Sequence, residues 1–221
     1  MELVSVVLAR SIGFVETGFL NPRGELPWQK LVSLLLERFS FMEVPAKLED
    51  LDRSKGITFK AGYFDGQGID VLTIYNDGIK IDLRSSTENG QKIITDSLEW
   101  LREKAGLAYR TGMIARWAYL SQFVVRSDIG LDTIHPAFSV LSEKVSEYVN
   151  QRTNEHYKYR ISGISFDFPK LTADYPIAPF LIERRVKTPD SENLFYCQAP
   201  LQTTQHLEVL REFERGLSKT S

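Results

Sequence analysis

The chain has 221 residues, is 43% hydrophobic and 25% charged, and carries a formal net charge of -2. These proportions describe a globular protein with enough apolar material for a sizeable core, and the near balance of charge excludes a global attraction to nucleic acid or an anionic membrane, so any phosphate binding needs a local basic patch. A single cysteine, Cys197, excludes an intramolecular disulfide and a cysteine-rich metal cluster; a reducing cytoplasm is the expected setting, and no cofactor is implied.

The opening MELVSVVLARSIGFVETGF lacks a basic start and has polar residues inside its apolar run, so it reads as a first strand rather than a signal peptide or membrane span. NPRGELPWQKLVSLLLERF follows as a turn and a helix, with Pro27 near the first helical position, where its missing N–H matters least. Leu31, Leu34, Leu35 and Phe39 share one side of that helix. FMEVP reads as a short strand ended by Pro45, and polar AKLEDLDRSKG leads onward.

Residues 57–105 are the most strongly patterned stretch: strand, strand, turn, strand, helix. Asn76-Asp77-Gly78 separates two alternating runs and predicts a hairpin through residues that tolerate positive φ. On the return strand Ile79, Ile81 and Leu83 share one face, and Lys80, Asp82 and Arg84 the other. Ser86 or Thr87 caps a helix whose Ile94, Leu98, Leu101 and Ala105 recur at helical spacing, and Gly106 closes it. In the preceding loop FDGQGID, Gly66 and Gly68 resemble a fragment of a phosphate loop, but the rest of that motif is missing, and an ordinary glycine turn is the expectation.

The second half opens with RTGMIARWAYLSQFVV, apolar on both faces and therefore placed centrally in the sheet. Pro136 then begins a helix with Phe138, Leu141, Val145, Tyr148 and Val149 as its expected buried stripe, and His135 belongs to the entry turn. YKYRISGISFDFP, FLIERRVK and LFYCQAP are three further strands. A last helix is capped by Thr203 or Thr204 and turns Leu207, Leu210, Phe213 and Leu217 inward.

The two halves, 1–108 and 109–221, thus share one order of elements. The expected fold is α+β, one domain over 1–221 with a twisted antiparallel sheet and about four helices mainly on one face. It resembles the duplicated βαβββα plan of saddle-shaped and helix-grip folds. YNDGIKIDL, SLEWL and RTGMIARWAYLSQFVV, about the middle third of the chain, also resemble an uncharacterised, sporadically distributed prokaryotic family of comparable length. That resemblance implies a prokaryotic protein working beside a neighbouring gene product, and it carries over no site residue.

Chemistry has few candidates. If FLIERRVK is a strand, Arg184 points among Phe180, Ile182 and Val186, opposite to Glu183, Arg185 and Lys187. A guanidinium so placed needs a carboxylate or a bound anion. Arg184, Arg185 and Arg116 are accordingly the candidate anion-binding residues, and a structural ion pair is the competing reading of Arg184. Asp65, Asp70, Asp82 and Asp167 could hold Mg²⁺ only if their strands converge. His206 and Glu208 are two apart on a helix, unlike metal ligands at i and i+4. Cys197 sits in a predicted strand and reads as a small buried hydrophobe. Tyr157, Tyr159, Phe166, Phe168, Phe195 and Tyr196, with Arg160 near them in sequence, offer a stacking surface or else core. The leading expectation is a non-catalytic binding module for a protein partner or small anionic ligand. The alternative is a metal-dependent phosphoester hydrolase or nuclease using Asp65, Asp70 and Arg184.

Overall fold

The computed structural model describes residues 1–21, 24, 26–153, 155–167, 177–189 and 192–218. Among the described residues, eight strands in antiparallel arrangement and five α-helices make a mixed α+β fold. In chain order these are β1 (Glu2–Phe14), α1 (Thr17–Leu20), α2 (Trp28–Phe39), β2 (Ile57–Phe64), β3 (Gln67–Ile74), β4 (Gly78–Leu83) and α3 (Thr87–Ala105). Then follow β5 (Arg116–Arg126), α4 (Pro136–Asn150), β6 (Gly163–Phe166), β7 (Phe180–Arg184), β8 (Leu194–Ala199) and α5 (Thr203–Ser218). Apart from the one-turn α1, strand, helix, three strands and helix occur twice in that order. The first set of strands runs β2-β3-β4-β1 and the second β6-β7-β8-β5, the same order in each. Among the described residues, no helix is long and apolar enough to cross a membrane.

The chain divides into two units, and the division falls inside β1 and β5. The first unit comprises Val6–Ser121 with Pro200–Thr203; the second comprises Met1–Ser5, Gln122–Ala199 and Thr204–Ser221.

In the first unit, register puts one apolar face together. Ile57 pairs with Ile74, Phe59 with Leu72, Leu72 with Ile81, and Ile69 with Leu83. Against that face pack Leu35 and Phe39 of α2 and Ile94, Leu98 and Leu101 of α3, all buried. Helix α3 starts and stops as its sequence predicts: Ser86 Oγ accepts the Asn89 amide, and Gly106 takes a left-handed φ of 73°. It also comes unusually near the sheet. A Cβ on Gly90 would lie 2.7 Å from Ser11 Oγ, and only glycine allows that approach. On the opposite face Arg10 donates twice to its cross-strand partner Asp82, at 2.7 and 2.9 Å.

The predicted β3–β4 hairpin forms, but not by the expected backbone. None of Asn76, Asp77 and Gly78 has positive φ. The turn is held from outside: Val15 N–H donates to the Asp77 carbonyl, and Thr17 N–H to that of Asn76. The positive-φ turn lies instead between β2 and β3, where Asp65 and Gly66 have φ of 47° and 79°, the signs of a type I′ turn. The FDGQG segment is therefore a hairpin turn running into β3. Asp70, next along, falls at the β-bulge that separates the pairings of Ile69 and Val71.

In the second unit the buried residues include Phe123, Val125, Leu131, Ile182, Phe195, Cys197, Leu210 and Leu217, with His206 fully buried among them. Helix α4 departs from expectation, because none of its residues is buried. Phe138, Leu141 and Tyr148 of the expected inner stripe are exposed, and Val145 and Val149 are half-buried. Helical spacing decides which side chains share a face, and says nothing of whether another surface meets that face. Polar groups hold α4 instead. Ser146 Oγ accepts the Tyr159 amide at 2.8 Å, and the Asn150 side chain bridges the amide and carbonyl of Tyr157. His135 sits at the helix entry as expected, its Nδ1 accepting the Ala137 amide at 3.1 Å.

Strand β7 ends at Arg184, and Lys187 has a φ of 66°. Arg185, Val186 and Lys187 thus leave the alternation expected of FLIERRVK, and Val186 is exposed.

Candidate functional site

The first unit contains a cavity of about 450 Å³ under α1 and α2. Its floor is the apolar sheet face, Leu72, Ile74 and Ile79, and its walls are Leu31 and Leu35 of α2 with Ile94, Leu98 and Leu101 of α3. Leu31, Leu35, Ile79, Ile94, Leu98 and Leu101 were legible as apolar-face residues, but the walls stand back from one another at this point. Two tethers hold the walls. The Ala108 amide donates to the Leu20 carbonyl, tying the chain after α3 to α1, and the Asn21 side chain bonds both backbone groups of Leu26.

One cluster in the lining joins Thr17, Arg53 and Trp28; Asn21 and Ser97 are further polar lining residues. Thr17, buried, donates its hydroxyl to the carbonyls of Tyr75 and Asn76, at 2.8 and 3.0 Å. Its oxygen in turn accepts from Arg53 Nη1 at 3.3 Å. The Arg53 guanidinium lies 5.8 Å from the centre of the Trp28 ring, within cation–π range. Among the described lining residues Arg53 is the one charged side chain, and among the described residues no carboxylate pairs with it. Exposed Gly18, Gly24 and Pro27 form the solvent side of the lining. Sequence reasoning missed Arg53, which sits in a polar connection with no pattern around it. The available hint was only that arginine's place between Asp52 and Ser54 in the connection.

The residues nominated from sequence lie elsewhere. Arg184 donates through Nη2 to Asp132 at 2.8 Å and through Nε to the Ile161 carbonyl at 3.2 Å, with its guanidinium over the Phe195 ring. This is the ion-pair arrangement weighed for it. Arg185 is exposed beyond the strand end. Arg116 belongs to the first unit and lies over the Phe14 ring at 4.3 Å. Asp65 is exposed in its turn, and Asp70 forms an exposed pair with Arg84 at 2.9 Å. Asp82 is held by Arg10, and Asp167 belongs to the second unit. No group of three or more His, Cys, Asp or Glu able to hold a metal occurs among the described residues.

Cys197 is fully buried in β8, and burial pushes its thiol up to about 12, so it behaves as the small hydrophobe expected. His206 goes further than a first-turn helix residue. It stacks on Phe123 with ring centres 4.5 Å apart, and burial pulls its imidazole down to about 4. Of the aromatic set, Phe195 is buried, Tyr196 is half-buried, Tyr157, Tyr159 and Phe166 are exposed, and Phe168 lies outside the described residues. Comparison with protein-family models and with curated proteins finds no match to this chain.

Proposed function

We propose that this chain is a non-catalytic binding module that holds a small, mainly apolar molecule in the cavity of its first unit, in a cytoplasmic setting. The observation that carries this reading is the cavity itself. Its roughly 450 Å³ falls in the range of small-molecule sites, and its apolar lining with a few polar groups matches their usual make-up. With one arginine as its charged group among the described residues, the lining supplies recognition and no pair of groups for moving a proton.

The test is a melting experiment with 1-decanol and decanoate as probes. The native chain should gain several degrees as probe concentration rises, by mass action on the folded state. Leu98→Trp, which fills the cavity from α3, should fold and show no gain. A melting temperature that ignores both probes in the native chain would end the proposal.

A further inference from the structure

We infer that the cavity's ligand is an amphipathic monocarboxylate, its carboxylate at Arg53 and its hydrocarbon body against Leu35, Leu72 and Leu98. This rests on the binding role proposed above and assigns that site its polarity and orientation.

The charged group of the lining sits in the Thr17–Arg53–Trp28 cluster, and the chemistry there selects the sign of the ligand. Arg53 is half-buried and is the sole charged lining residue among those described. Its one hydrogen bond to another described residue goes from Nη1 to Thr17 Oγ1. That bond, with the Trp28 ring beside the guanidinium, holds the group in place and leaves its remaining N–H donors for an acceptor. Thr17 is itself fixed, because its hydroxyl proton is committed to backbone carbonyls of the β3–β4 turn. A preset fork of donors beside an apolar chamber favours a planar, two-oxygen anion.

Charge balance narrows the class. One guanidinium neutralises one carboxylate, whereas a phosphate monoester brings up to two charges and three acceptor oxygens to a single cation. A neutral alcohol would leave the guanidinium partly desolvated with no compensating charge. Size sets the body of the ligand: at about 30 Å³ for each water-sized group, the chamber holds on the order of fifteen non-hydrogen atoms. A medium-length fatty acid or an aryl-substituted acid meets both conditions.

Calorimetric titration at neutral pH of the native chain with decanoate, 1-decanol and methyl decanoate separates the cases. Decanoate should bind tenfold or more tighter than either neutral probe. Arg53→Met should lower decanoate affinity tenfold or more, to or below that of the neutral probes, and binding heat retained with 1-decanol reports that the chamber is intact. Arg53→Lys, which keeps the charge but loses the planar fork, should fall between the two. Equal affinities for all three probes in the native chain overturn the carboxylate assignment and leave the binding role standing. A decanoate preference that survives Arg53→Met overturns the assignment to Arg53. No heat with any probe removes the binding role as well.

Discussion

The side-chain oxygens of Thr87 and Thr203 each accept the other residue's backbone amide, at 2.9 Å from Thr87 N and 2.8 Å from Thr203 N. Both residues are buried, so the first turn of α3 and the first residue of α5 satisfy each other's amides without water. Thr203→Val keeps the shape and strands the Thr87 amide. It should cost about 1–3 kcal/mol, whereas Thr203→Ser should stay within about 1 kcal/mol. Urea unfolding of the three proteins decides this, and equal midpoints for Val and Ser would show that the exchange contributes nothing.

Gly90 sits where two rules disagree. Helix propensity says that Gly90→Ala should gain about 1 kcal/mol. Contact says the reverse, because the added Cβ meets Ser11 Oγ at 2.7 Å and Ile81 Cγ2 at 3.0 Å. Ser11 cannot easily yield, since its hydroxyl donates to the Thr87 carbonyl at 2.7 Å. A net loss of about 1–3 kcal/mol is expected. Thermal melts suffice, and a more stable Gly90→Ala protein would mean that α3 rides farther from the sheet.

His206 should make stability depend on pH in a defined window. Its folded value, about 4, lies below the ordinary 6.5, so between those values the unfolded chain binds the proton and the folded chain does not. The contribution is complete above pH 6.5 and is lost as the pH falls toward 4, by up to about 3 kcal/mol. His206→Phe keeps a ring against Phe123 and should flatten this part of the profile. Parallel slopes for the two proteins between pH 6.5 and 4.5 would contradict the assignment.

Leu98 and Leu141 are leucines at similar helical spacing in α3 and α4, and only their surroundings differ. Leu98 is 3% exposed and Leu141 is 59% exposed. Leu98→Ala should cost about 2–5 kcal/mol, and Leu141→Ala should change stability by less than about 0.5 kcal/mol. Comparable losses would show that α4 lies against a surface after all.

That contrast also marks how far the sequence could be read. Alternation in β2 to β4 and the cap and terminal glycine of α3 are local signals, and each forms where its residues said; of the expected α5 stripe, Leu210 and Leu217 are buried and Leu207 and Phe213 half-buried, with His206 buried beside them. The FDGQG segment was equally local: the ordinary glycine turn expected there forms, with its positive φ at Asp65 and Gly66. Three features depend on distant partners and left no local mark: Asp132 reaching Arg184 across 52 positions, Phe123 covering His206, and the gap between the α2 and α3 leucines. A periodic apolar face looks the same in sequence whether its neighbour touches it, stands off to leave a chamber, or is missing.

Strand β2, at the margin of the first unit's strand order, bends out of plain extension where Ala61 takes a φ of 51°. There the Met42 amide donates to the Ala61 carbonyl, Glu43 exchanges backbone hydrogen bonds with Lys60, and the Glu43 and Lys60 side chains meet at 2.8 Å. A foreign strand seeking to extend the ladder would first have to strip away this two-residue hem. Lateral pairing with a foreign strand is therefore obstructed at Lys60 and Ala61 by the chain's own backbone, and Glu43→Pro would lose the amide that closes that part of the border.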